Sequence, residues 1–100
     1  MTIQPGDTKL KDPDSTRAAQ FNWDALIESP SATISSATVV ATGPDSALTV
    51  SGVAPAGRVV NYTLAGGTLG GLYTVTCHIT TSEAPPQIDD RSILVLIQNL

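Results

Sequence analysis

Leu72-Tyr73-Thr74-Val75-Thr76-Cys77-His78-Ile79-Thr80-Thr81 is the stretch on which the fold turns. Tyr73, Val75, Cys77 and Ile79 are apolar or aromatic, while Thr74, Thr76, His78 and Thr80 between them are polar. Neighbouring side chains on a strand point to opposite faces, so this alternation predicts a strand with one dry face and one wet face. Before it, Ala65-Gly66-Gly67-Thr68-Leu69-Gly70-Gly71 is too rich in glycine for a regular element and reads as a connecting loop with several positive-φ positions. After it, residues 82–87 with Pro85-Pro86 make a connection of hairpin length. Residues 88–99 then close the fold with the apolar run Ile93–Ile97, which predicts a central strand covered on both sides.

Working towards the N-terminus, Val60, Tyr62 and Leu64 share one face of a strand over 58–64, with Val59, Asn61 and Thr63 on the other. Pro55-Ala56-Gly57 is a turn, and the strand before it offers Leu48 and Val50 to one face, with Val53 as a further candidate. Gly43-Pro44-Asp45-Ser46 is another turn. Residues 32–42 are strand-like, but Ile34, Val39 and Val40 leave their register ambiguous. Phe21 and Trp23 alternate with Gln20, Asn22 and Asp24, and residues 24–28 suit a single helical turn stopped by Ser29-Pro30. Residues 1–17 hold few apolar side chains and include the turn Asp12-Pro13-Asp14-Ser15. They are read as an extended N-terminal arm before a domain over 18–100, either a loose terminus or an arm that orders on a partner.

Six or seven short strands separated by turn residues predict an all-β antiparallel sandwich. No helix-sized segment intervenes, so parallel βαβ units are excluded. One hundred residues suit one domain, and only 14% are charged against roughly 25% in a typical soluble domain. Ser, Thr, Gly and Ala fill the difference. The five basic residues, Lys9, Lys11, Arg17, Arg58 and Arg91, are spread along a chain of net charge −4, without the clustered footprint of a nucleic-acid binder. The start of the chain has no apolar core of a signal peptide, and no run approaches the roughly 20 apolar residues of a membrane span. Synthesis in the cytosol is therefore expected, with protein partners rather than nucleic acid or membrane.

Catalysis has little to draw on. Cys77 is the lone cysteine and His78 the lone histidine, and strand neighbours point apart, so they do not chelate one ion. Asp89-Asp90 and the pair Asp12 and Asp14 are the only clustered carboxylates, and the solvated reading fits them better than calcium. Cys77 is expected to be an inert core thiol and His78 a solvated sheet residue. The glycine-rich loop lacks the Lys-Ser/Thr of a phosphate cradle. Trp23 and Phe21 are assigned to the core, which leaves few aromatics for a sugar platform. No catalytic residue, metal or cofactor is predicted.

Leu69-Gly70-Gly71-Leu72-Tyr73-Thr74-Val75-Thr76 resembles the loop and Tyr-x-Val strand of immunoglobulin-like and fibronectin III-like domains. A broader resemblance spans residues 11–97. Lys11-Asp12-Pro13-Asp14, Phe21-Asn22-Trp23, Ile34-Ser35-Ser36-Ala37-Thr38, Tyr73-Thr74-Val75-Thr76, Ile79-Thr80-Thr81 and Asp89-Asp90-Arg91-Ser92-Ile93, in that order, resemble a family of small tailed-bacteriophage proteins that act as fiber-tail adaptors or head-tail joining components. The resemblance implies an immunoglobulin-like sandwich preceded by a short arm, without enzymatic activity. It implies a virion location and several copies contacting phage neck, tail or fiber proteins. A capsid decoration or tail appendage module, or a carbohydrate-binding sandwich, is the alternative. Lys11, Asp12, Pro13, Asp14 and Arg17 are the expected partner contacts.

Overall fold

The computed structural model describes residues 3–27 and 31–99. It contains seven strands: β1 Ile3–Lys11, β2 Thr16–Asn22, β3 Ile34–Thr42, β4 Leu48–Ala56, β5 Val59–Gly66, β6 Leu72–Thr81 and β7 Ile88–Ile97. They form two sheets, ordered β1-β7-β6-β3 and β2-β5-β4. All pairs are antiparallel except β1 with β7, which is parallel. The all-β sandwich is therefore present, with one parallel pair that alternation does not reveal.

Its interior comes from the dry faces. Tyr73, Val75, Cys77 and Ile79 of β6 meet Val60, Tyr62 and Leu64 of β5, with Phe21 and Trp23 at the end of β2. Phe21 and Tyr62 stack with centroids 5.2 Å apart. The Asn22 side chain accepts from the Asp24 amide and ends β2. One helical turn follows, in which the Trp23 carbonyl accepts from Leu26 and Ile27. The stop expected at Ser29-Pro30 lies outside the described residues.

Two strands whose alternation is broken in the sequence are bulged. In β3 the pairing with β6 shifts between Ile34 and Ser36, so Ile34 and Val39, an odd number of residues apart, are both buried while Val40 faces water. In β4 the shift falls between Ser51 and Ala54, around Gly52 at φ 62, and turns Val53 back to the face of Val50. An inserted residue flips the parity of everything beyond it.

Within the stretch read as an arm, Ile3–Lys11 forms strand β1, paired with β7 from Thr8 to Lys11. One expectation needs correcting. The last strand, β7, is central but covered on one face only: Ile93, Val95 and Ile97 are buried, while Leu94 and Leu96 are half-exposed on the outer face. Pairing on both edges of β7 accounts for its apolar composition without a covering layer.

The glycine-rich loop has the expected backbone. Gly66, Gly67 and Gly70 have φ of 77°, 104° and 81°. A Cβ on Gly67 would sit 2.6 Å from Ile97 Cδ1, so glycine is required there by both dihedral and space.

Candidate functional site

One end of the sandwich gathers the β1–β2 turn, the loop before β4, the glycine-rich loop before β6 and the end of β7. Its anchor is Lys11. Register with Ile97 turns this side chain inward, and it is 2% exposed. Lys11 Nζ donates to the carbonyls of Asp12 (3.0 Å), Ser15 (2.6 Å) and Gly66 (2.7 Å). The first two close the β1–β2 turn, and the third belongs to the opposite sheet, so one ammonium joins both layers. Burial pulls its pKa below the usual 10.5, Arg17 adds to the effect, and Asp12 and Asp14 oppose it.

Beside this anchor lies a cleft of about 260 Å³ between the free edges of β1 and β2. Lys9, Leu10, Lys11, Arg17, Ala18, Ala19, Leu64 and Val95 line it. Three of the five basic residues of an acidic chain thus meet at one place. Lys9 opposite Val95, and Arg17 opposite Leu64, both lie in register with buried residues. An inward charge at an edge also discourages a foreign strand from pairing there. Around the corner, Leu10, Leu96 and Leu72 form one cross-strand row on the outer face, with Leu94 in the next. Leu10 and Leu72 are about half-exposed.

The five expected contact residues therefore divide. Lys11 is inside, holding the corner together. Asp12 and Pro13 are half-buried, and Asp14 and Arg17 are exposed. Asp12 Oδ1 accepts from the Asp14 amide at 2.9 Å, and the Asp12 carbonyl accepts from Ser15, so the turn is closed by its own hydrogen bonds. Lys9 and Leu10 lie in the expected arm yet belong to the cleft. Their pairing with β7 across more than eighty residues had no signal in the local pattern.

A second node at the same end ties the loops to each other. Tyr73 Oη donates to Asp45 Oδ1 at 2.5 Å and accepts from the Thr68 amide at 3.0 Å. Thr68 Oγ1 donates to Asp45 Oδ2 at 2.7 Å, and the Ala47 amide to Asp45 Oδ1 at 3.0 Å. The bonds from Tyr73, then Thr68, then Ala47 hold the Asp45 carboxyl below its ordinary 3.8. Since the folded value is depressed, this group stabilises the fold fully above pH 3.8, and the contribution disappears as pH falls through the lower, folded value. Asp45→Asn should therefore melt below wild type at neutral pH, with the gap closing as pH drops below 3.8 through the lower, folded value. Thermal melts across that range check it; a gap that stays constant would refute the assignment.

Elsewhere, the two side chains weighed for bond chemistry lie on opposite faces of β6. His78 Nδ1 pairs with Asp90 Oδ1 at 2.5 Å on the outer face of the four-stranded sheet, with both side chains more than 40% exposed. Cys77 points to the opposite, buried face, where loss of hydration pushes its thiol up to about 11 against a smaller pull from the Trp23 indole N–H. Among the described residues, no three His, Cys, Asp or Glu side chains come together as a metal site.

A family model described as "Podophage GP4 fiber-tail adaptor protein gp77" matches residues 11–96, from the last residue of β1 almost to the end of β7. No curated protein matches the chain.

Proposed function

Since the chain belongs to the podophage GP4 fiber-tail adaptor family, we propose that it joins tail and fiber proteins of the virion through protein–protein contacts alone, in several copies and without catalysis. It is made in the host cytoplasm and uses neither cofactor, nucleic acid nor membrane. Its sandwich is of the immunoglobulin type. The sheet order, the parallel β1–β7 pair and the Tyr73 hydroxyl bonded back to the Thr68 amide support that reading.

The observation that carries the proposal is the concentration of cations and exposed apolar surface at the β1–β2 corner. Lys9 and Arg17 flank an apolar floor, Asp12-Pro13-Asp14 projects beside them, and the Leu10–Leu96–Leu72 row continues the surface. Such a surface fits an acidic, partly apolar segment of a tail or fiber protein. Lys11 belongs to the same corner as its support, with Asp12, Pro13, Asp14 and Arg17 as contacts.

The test is a K9E/R17E double variant supplied to particles that lack the wild-type protein. Both side chains are exposed, so the fold should melt as wild type does. Charge reversal at the two flanks should abolish co-purification with tails and leave particles without fibers. Particles with a full complement of fibers would remove the corner from the binding surface.

A further inference from the structure

We propose that two copies of this protein pair through the free edge of β3, antiparallel about a two-fold axis at Val39, to make one continuous eight-stranded sheet. The sandwich has four outer strands, and three carry features that discourage a neighbour. β1 contains Pro5 and Gly6, its register is broken between Ile3 and Thr8, and Lys9 and Lys11 point inward along it. β2 carries Arg17 in the same manner. β4 is bulged at Gly52 and contains Pro55. Such features are how native edges avoid adding strands.

β3 has none of them beyond its bulge at Ile34, whose amide is already bonded to the Gly57 carbonyl. From Ser36 to Thr42 it pairs with β6 residue by residue, without proline, glycine or charge. On its other side β3 adjoins no strand of its own sheet among the described residues.

Charge selects the occupant. Each copy carries net charge −4, so copies repel one another except where a face is uncharged. Neither β3 nor β4, which lie along the same side of the sandwich, contains a single charged residue. The basic corner is on the opposite side. An acidic ligand would therefore choose β1–β2, whereas a like-charged copy is admitted at β3.

The pairing is also consistent with its own side chains. A two-fold at Val39 sets Thr38 opposite Val40 of the second copy, and Ala37 opposite its Ala41. Outward residues thus meet outward residues and inward meet inward, as the pleat demands. Val40, 53% exposed in the single copy, gains a β-branched cross-strand neighbour. An isologous contact of this kind closes at two copies. Its area falls in the weak class, under about 1,200 Å², so pairing should depend on concentration and strengthen where copies are gathered.

This inference rests on the multi-copy reading above and is separable from tail attachment. Sedimentation velocity of the full chain, from about 10 µM to about 1 mM, should show a monomer giving way to a dimer. Amide exchange over 36–42 should slow in step. V40K, and independently T38K, should keep the melting temperature and weaken dimerisation at least about tenfold. K9E/R17E should dimerise as wild type does. A monomer at every concentration, protection that appears elsewhere, undiminished dimers in both lysine variants, or loss of dimers in K9E/R17E would each overturn the β3 assignment.

Discussion

Lys11→Met should lower the stability of this domain by about 3 kcal/mol and its melting temperature by roughly 15 °C. Methionine fills the channel of the lysine stem but donates nothing, so the carbonyls of Ser15 and Gly66 lose their charged donor at 2.6 and 2.7 Å. The Asp12 carbonyl keeps its bonds from Ser15 and is less affected. Bonds to a charged group contribute about 1.5–3 kcal/mol each, and the desolvation of the buried ammonium offsets part of that sum. Lys11→Arg should recover little, because a planar fork does not reproduce three carbonyls converging on one nitrogen. Denaturant melts of both variants measure this. A Lys11→Met protein as stable as wild type would mean that the ammonium is not the link between the two sheets. Any loss of fibers in this variant should track the unfolded fraction, in contrast to K9E/R17E.

Trp23→Ala should cost more, about 4 kcal/mol and a fall of roughly 20 °C in melting temperature. The side chain is fully buried, and it sits where β2 ends and the chain crosses to β3. Its amide donates to Arg58 and its carbonyl receives Leu26 and Ile27, so the backbone here is held to the turn between β4 and β5. Removing the indole opens a cavity beside Cys77 that these bonds prevent from collapsing, and an uncollapsed cavity is the costly kind. Trp23→Phe should lose well under half as much, since most of the volume is retained. As Trp23 is the lone tryptophan, wild-type emission should be that of a buried indole and shift red on unfolding. Emission at the position of a solvated indole in the native protein would contradict this packing.

The interior was legible because it is written in alternation. Tyr73 to Ile79 and Val60 to Leu64 keep strict parity, and all seven of their inward residues are buried. Where parity breaks, as at Ile34 to Val39 and Val50 to Val53, the sequence shows only ambiguity, and the bulges explain it. The candidate site was legible in part. Asp12-Pro13-Asp14 reads as a turn and is one, but Lys11 looks like an ordinary surface lysine because nothing local announces the Gly66 carbonyl waiting fifty-five residues away.

Composition and periodicity alone determined an all-β chain, its dry faces, its turns and the opposite faces of Cys77 and His78, since each depends on neighbours within a few residues. Tertiary structure alone decided that the first strand joins the last in parallel, that Lys11 is a buried clasp, and that β3 is an outer strand of its sheet. Those outcomes follow from which distant backbones meet, and a strand's composition states its faces without naming the strand beside it.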